Sequence, residues 1–215
     1  MTLELWLAYV LAAAIVLLVP GPTVLLVIGY ALADGPRSAW RTVPGVMGGD
    51  ATAVSFSLLG LGALLATSAA LFGALKWIGA AYLVYLGVRL WRAPLPDAAA
   101  EAHAAAPRTD GRAGTSWAVT GHAYAVTALN PKGMAFFVAF LPQFLVPRAP
   151  LLPQALLLAG TWVAMAGLNA TAYALLTGRL RTLLRRPGAR RTLHRISGGL
   201  LIGAGALTAA LRRAA

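Results

Sequence analysis

The stretch ALNPKGMAFF, Ala128 to Phe137, decides the fold of this chain. It places Lys132 directly after Pro131, inside a long apolar run. A proline removes one hydrogen bond from a helix, and a lysine at the centre of a membrane span costs about 2.5–3.5 kcal/mol. Asn130 is a good N-cap, and proline suits the first position of a helix. The motif therefore predicts a second helix that begins within an apolar segment, with Lys132 in its first turn.

The composition indicates an integral membrane protein. Of the 215 residues, 59% are hydrophobic and 11% are charged, and the mean hydropathy is +0.73. A soluble domain carries about 25% charged residues. The net charge is +12, and the basic residues that produce it lie between apolar segments. The positive-inside rule explains this placement better than a nucleic-acid partner does. The sequence has no cysteine, which excludes disulfides and thiolate metal sites.

Six apolar stretches are long enough to cross a bilayer, for which about 20 residues are needed. Together they predict a single transmembrane domain over residues 1–215, with spans at about 3–33, 43–66, 71–91, 117–146, 151–177 and 193–211. The first stretch lacks a basic leader region and carries Glu4, so we interpret it as a retained span and not as a signal peptide. The connections at about 92–116 and 178–195 are predicted to be cytoplasmic loops. The second is rich in arginine and is expected to lie on the membrane surface against anionic lipids.

The distribution of basic residues predicts the orientation. Thirteen of the eighteen lysines and arginines lie in the connections after the first, third and fifth spans. Such an excess marks the cytoplasmic side, so both termini are expected on the non-cytoplasmic side of the membrane. Five tryptophans fall near span ends, as interfacial anchors do: Trp6, Trp40, Trp77, Trp91 and Trp117. Trp162 lies inside the fifth span and does not fit this pattern.

The six spans divide into two sets of three, and an odd number per half requires any internal repeat to be inverted. Each half opens with an overlong span that contains prolines. The first break reads VPGPTVLL, with Pro20, Gly21 and Pro22 at its centre. Broken helices at corresponding positions of two halves are typical of transporters. The sequence therefore predicts an all-α integral membrane fold with two inverted three-helix repeats, whose first and fourth helices are broken by proline.

Asp50 and Lys132 are the candidate functional pair. Asp50 is the only acidic residue well inside a span, and a lysine at a helix N-terminus concentrates positive charge and attracts an anion. Counted at about 1.5 Å per residue from the cytoplasmic ends, their depths differ by less than a lysine side chain and some helix tilt together can bridge. They are expected either to form a buried ion pair that fixes helix register or to belong to a functional site, which intramembrane ionisable residues favour. Asn169 in the fifth span is expected near the same cavity.

These landmarks resemble the LysE/RhtB family of amino-acid exporters. The resemblance rests on PGPTVLLVIGYALADGPR leading to GVMGGD, on LKWIGAAYLVYLGVRL and on LNPKGMAFFVAFLPQF, whose order and spacing cover most of the chain. The chain departs from the family between Gly35 and Gly45, where the family often has another glycine and this chain has Ala39 and Pro44.

The resemblance implies an inner-membrane exporter of amino acids or related small carboxylated metabolites, driven by proton exchange, with no cofactor. In that interpretation a substrate carboxylate is held by Lys132 and by two half-helix N-termini, at Gly21–Pro22 and at Asn130–Pro131. Asp50 binds a proton or the substrate amine, or releases Lys132 when it is protonated. Alternating access would come from rocking one three-helix half against the other. Whether the protein forms a homo-oligomer stays open.

Three other functions are weaker. A cation or metal exporter, to which more distant relatives of the family are similar, would bring its cargo next to the positive Lys132 and would find one intramembrane carboxylate. A membrane enzyme would need a motif such as HExxH, paired carboxylates or an activated serine at membrane depth, and the sequence has none. A structural membrane protein would leave Asp50, Lys132 and two broken helices without a purpose.

Overall fold

The computed structural model describes residues 1–92, 116–146 and 149–184, together with scattered positions between 188 and 206. Within these residues every regular element is helical and no strand occurs, which confirms the predicted all-α class. Short 3-10 turns lie at Pro36–Ser38 and Leu141–Phe144. The α-helices of the described ranges are α1 (Leu3–Leu18), α2 (Pro22–Asp34), α3 (Ala39–Thr67), α4 (Ala69–Arg92), α5 (Ser116–Ala128), α6 (Pro131–Phe140) and α7 (Leu151–Leu184).

Both proline motifs break the chain into two helices. At the first, α1 ends at Leu18 and α2 begins at Pro22, with a bend of 54° between them. Proline fits this position because its fixed φ suits the first helical residue and it has no N–H to leave unpaired. At the second, the side chain of Asn130 accepts a hydrogen bond from the backbone N–H of Lys132 at 3.0 Å, and α6 begins at Pro131. The bend there is 41°.

The helices agree in part with the predicted spans. Among the described residues, two stretches are long and apolar enough to cross a membrane alone, Pro36–Ala63 and Leu151–Thr177, and each bent pair would add one more if it forms a single span. Helix α7 continues to Leu184, beyond the predicted span end at residue 177. The stretch at 93–115 and most of the predicted sixth span, 193–211, lie outside the described residues. The count of six spans and the inverted repeat therefore stay predictions.

Helices α3 and α5 pack closely because α3 presents glycines to its neighbour. A Cβ atom on Gly49 would lie 2.7 Å from the carbonyl oxygen of Tyr124 and 2.9 Å from the backbone nitrogen of Ala128. No side chain fits there without moving the backbone of α5. Small residues that allow this kind of contact are the usual means by which helices associate in membranes. The contact holds Asp50, the next residue of α3, at a fixed position beside the second break.

This contact gives a testable expectation about stability. Gly49→Ala should destabilise the fold by about 1–3 kcal/mol, because overpacking against backbone cannot be relieved by a rotamer change. Gly60→Ala in the same helix is the matched control, since a Cβ atom there would meet nothing within 4 Å. Thermal unfolding of the purified variants in detergent measures the difference. Equal unfolding temperatures for the two variants would contradict the close contact between α3 and α5.

Two apolar clusters surround the breaks. The aromatic cluster is built on the rings of Tyr9, Phe136, Phe137, Phe140, Phe144 and Trp162. The aliphatic cluster contains Val24, Leu26, Val27, Ile28, Tyr30, Val46 and Val119. Members of both clusters line one cavity at the junction of the broken helices, among them Trp162 of the aromatic cluster and Val27 of the aliphatic cluster. Apolar packing from both clusters therefore forms much of the cavity wall.

Candidate functional site

Side chains of the second break bond directly to the first break. The Nζ of Lys132 donates a hydrogen bond to the backbone carbonyl of Val19 at 2.5 Å. The hydroxyl oxygen of Thr23 accepts hydrogen bonds from Nδ2 of Asn130 at 2.9 Å and from the hydroxyl of Thr127 at 3.3 Å. The two broken helices thus meet at their breaks, which joins α1 and α2 to α5 and α6.

The carbonyl groups at the end of α1 receive their hydrogen bonds from α7. A helix end leaves its last carbonyls without partners, and in a membrane these groups must be satisfied by protein. Nδ2 of Asn169 donates to the carbonyl of Leu17 at 3.1 Å, and the hydroxyl of Tyr173 donates to that of Leu18 at 2.9 Å. With the bond from Lys132, three consecutive carbonyls are satisfied, which explains how α1 can end inside an apolar segment.

Lys132 lies between the ends of α1 and α2. Its amine contacts the carbonyl end of α1, where the partial negative charge of the helix favours a cation. Its side chain also passes over Gly21, where a Cβ atom would lie 3.2 Å from Cδ of Lys132. The position of Lys132 at the start of α6 looks unfavourable in the sequence, but the side chain spans the gap to a negative helix end. This contact offsets part of the cost of a lysine at this depth.

Asp50 faces the same cavity as Lys132 without pairing with it. Its side chain is 7% exposed, and both residues line the cavity. Within the described ranges the one ion pair shorter than 4.0 Å joins Arg41 to Asp34, at 3.1 Å. The indole N–H of Trp162 lies near the Asp50 carboxylate, yet its Nε1 is buried and has no hydrogen-bond partner among the described residues.

The cavity between these groups is small and mostly apolar, with a few polar groups in its lining. Its free volume of about 40 Å³ has room for a few water molecules. Hydrogen-bond donors gather at one end, where the side chain of Lys132 and the N-terminus of α2, which lacks a side-chain cap at Gly21, are found. Asp50 supplies a carboxylate to the same space. A site with a carboxylate and a cluster of donors can bind a small molecule that carries both an amine and an anionic or hydrogen-bond-accepting group.

Comparisons with known proteins identify the family. The model of the LysE type translocators matches residues 14–211. The chain belongs to the LysE type translocator family. It is 33% identical, over the full length of both chains, to the homoserine/homoserine lactone efflux proteins of Salmonella typhi and of Salmonella typhimurium. It is also 33% identical to an uncharacterized membrane protein of Vibrio cholerae over 209 residues, 97% of this chain and 98% of the relative.

No solved structure matches the chain significantly. Membership in the LysE type translocator family confirms the resemblance drawn from the proline motifs and GVMGGD, and with it the assignment to transmembrane transport proteins. Of the candidate residues, five line the cavity: Gly21, Asp50, Asn130, Lys132 and Asn169. The three prolines do not line it but set the helix ends around it: Pro20 lies in the first break, Pro22 begins α2 and Pro131 begins α6.

Two cavity residues were missed in the sequence as site residues. Thr23 follows the PGP motif and lies in the first turn of α2. Its position next to the motif predicts a hydroxyl near the helix N-terminus and could have identified it as a site residue. Trp162 was noted only because its depth does not suit an interfacial anchor. Both residues line the cavity, and Trp162 does so beside Asp50.

Proposed function

We propose that this protein exports small amine-bearing metabolites of the amino-acid type, homoserine and its derivatives among them, in exchange for protons. The observation that carries this proposal is the arrangement of Asp50 and Lys132, which line one cavity where two broken helices meet and form no ion pair within 4.0 Å. A buried carboxylate without an ion-pair partner is costly, and a ligand with an ammonium group would satisfy it while the anionic group of the ligand meets Lys132.

The substrate amine is assigned to Asp50. The buried indole N–H near this carboxylate, that of Trp162, has no hydrogen-bond partner among the described residues, so the carboxylate is available as an acceptor for an ammonium group. The substrate carboxylate is assigned to Lys132 and to the N-terminus of α2. A lysine amine carries three N–H donors when charged, and one of them is used by Val19. The remaining donors and the first-turn N–H groups of α2 form an anion site.

The names of the relatives favour the amine as the common feature. Two relatives that align over their full length are named efflux proteins for homoserine and homoserine lactone. Both compounds carry a primary amine, but the carboxylate of the lactone is tied up in its ring ester. A site that accepts both must recognise the amine, which makes Asp50 the primary contact and Lys132 a contact for carboxylate-bearing cargo.

Proton exchange follows from the same carboxylate. Asp50 is the one acidic side chain among the residues that line the cavity. A proton and a substrate ammonium compete for it, so that release of one accompanies binding of the other. The site then never holds an uncompensated buried carboxylate, which is the costly state. Exchange of one proton for one ammonium is the simplest form of this coupling.

Transport requires the apolar packing on each side of the cavity to open in turn. The free volume of about 40 Å³ is too small for an amino acid, so we interpret the conformation as closed. We expect opening on the side of the aliphatic cluster to separate Tyr30 from His122, whose Oη and Nδ1 atoms are 3.1 Å apart. We propose that two inverted three-helix halves rock against each other in the inner membrane, with both termini outside the cytoplasm and the arginine-rich connection at 178–195 on anionic lipids.

Reconstituted protein tests the proposal. In liposomes with an acidic lumen, labelled homoserine should accumulate above its external concentration, and a protonophore should abolish the accumulation. Accumulation that survives the protonophore would reject proton exchange. The absence of homoserine uptake in either direction of the pH gradient, together with a lack of binding, would reject this substrate class. A metal cation as cargo is disfavoured, because Lys132 would repel it from the cavity.

A further inference from the structure

Trp162 is held rigidly in the middle of α7, where its side chain is 2% exposed. Its ring stacks on that of Phe136 with centroids 4.7 Å apart, and the ring of Phe137 meets it edge-on at 4.9 Å. Two aromatic neighbours fix the plane of the indole and therefore the direction of its N–H. Such packing leaves little freedom for the ring to turn toward another partner.

The indole N–H of Trp162 is a buried donor without an acceptor. It has no hydrogen-bond partner in the parts of the chain that the structure describes, although buried polar groups are nearly always paired. Trp6, by comparison, donates its indole N–H to the hydroxyl of Thr161 at 3.1 Å. Trp162 lines the cavity together with Asp50, so an acceptor that enters the cavity can complete its hydrogen bonding.

We propose that the N–H of Trp162 determines specificity by donating a hydrogen bond to an oxygen on the substrate side chain. This inference rests on the proposed function and adds a second criterion to the amine. The indole N–H lies next to the carboxylate of Asp50. In homoserine the hydroxyl is two carbons away from the carbon that bears the amine, so one molecule can contact both residues. The site then prefers small amines with a hydroxyl or ester oxygen over aliphatic amino acids of the same size.

The competing role for Trp162 is to orient Asp50. In that case the N–H would donate a hydrogen bond to the Asp50 carboxylate, and its removal would weaken the binding of all amine substrates to the same extent. If the N–H determines specificity, its removal weakens the binding of substrates with the oxygen only. An oxygen-free analogue leaves the N–H unpaired in the wild-type protein, which weakens its binding, and removing the N–H lifts that penalty. Homoserine and norvaline separate the two roles, since a methyl group in norvaline replaces the hydroxyl of homoserine.

The experiment measures binding by calorimetry in detergent and uptake into liposomes for both compounds. The wild-type protein should bind homoserine about tenfold more tightly than norvaline, as expected for one hydrogen bond in a buried site. Trp162→Phe keeps an aromatic ring and removes the N–H, so the ratio of the two affinities should fall close to one. Trp6→Phe is the matched control, because the N–H it removes lies outside the cavity and already has a partner, and it should keep the wild-type ratio.

Incorporation of benzothienylalanine at position 162 gives a second variant, which retains the two-ring shape and replaces the N–H by sulfur. It is used if Trp162→Phe does not fold. An unchanged ratio in either folded variant, an equal loss for both compounds, or a wild-type protein without preference would overturn the inference. Binding with the expected preference but without uptake would instead overturn the proposed transport and leave the role of Trp162 intact.

Discussion

Asp50→Asn is expected to abolish proton-driven accumulation of homoserine and to weaken homoserine binding by roughly 10–100-fold, the loss expected for a hydrogen bond to a charged group. The substitution keeps the shape of the side chain and removes both the negative charge and the proton-binding site. In the wild-type protein, binding should weaken as the pH falls, because protons compete with the ammonium for Asp50. In the variant this dependence on pH should disappear.

The control for Asp50→Asn is Glu4→Gln. Glu4 is an exposed acidic residue in the first turn of α1, so its replacement removes the same charge at a position outside the cavity. It should leave both accumulation and the pH dependence of binding as in the wild-type protein. Undiminished accumulation by Asp50→Asn would show that another group carries the proton. Retained homoserine exchange in the absence of a pH gradient would restrict Asp50 to proton transfer and assign the amine to a different residue.

The sequence was sufficient to predict the features that depend on local chemistry. Proline removes a hydrogen bond and fixes φ wherever it stands. It could therefore be predicted from adjacent residues that one helix begins at Pro22 and another at Pro131. The N-cap role of Asn130 is also local and is observed. Asp50 was expected inside the second apolar segment, and it lies inside α3. Each of these predictions depends only on the local sequence of one segment and not on how the helices pack.

The contacts that cross between helices could not be predicted. Nothing in the sequence indicated that the amine of Lys132 would also bond to the carbonyl of Val19, at the end of a helix that meets the next one at a bend of 54°. Neither the bend angle nor the direction of the side chain is encoded in residue spacing. For the same reason the donors from Asn169 and Tyr173 to the end of α1 appear only in the folded chain.

Lys132→Met is expected to separate substrates by their carboxylate. Homoserine binding should weaken by roughly 10–100-fold through loss of a charged hydrogen bond, whereas homoserine lactone, which has no free carboxylate, should bind within about threefold of the wild-type value. The variant should also lose about 1–3 kcal/mol of stability, because the buried carbonyl of Val19 is left without its donor. Calorimetry with the two ligands and thermal unfolding measure these effects.

Tyr173→Phe distinguishes the two consequences of losing Lys132. It removes a hydrogen bond to the neighbouring carbonyl of Leu18 without changing charge, and Tyr173 does not line the cavity. A similar loss of stability with an unchanged ratio of homoserine to lactone affinity is therefore expected. If Lys132→Met also leaves that ratio unchanged, Lys132 serves only to join the two helix breaks, and the substrate carboxylate must be bound by the N-terminus of α2 alone. If the ratio falls in Lys132→Met and not in Tyr173→Phe, Lys132 both closes the end of α1 and binds the cargo.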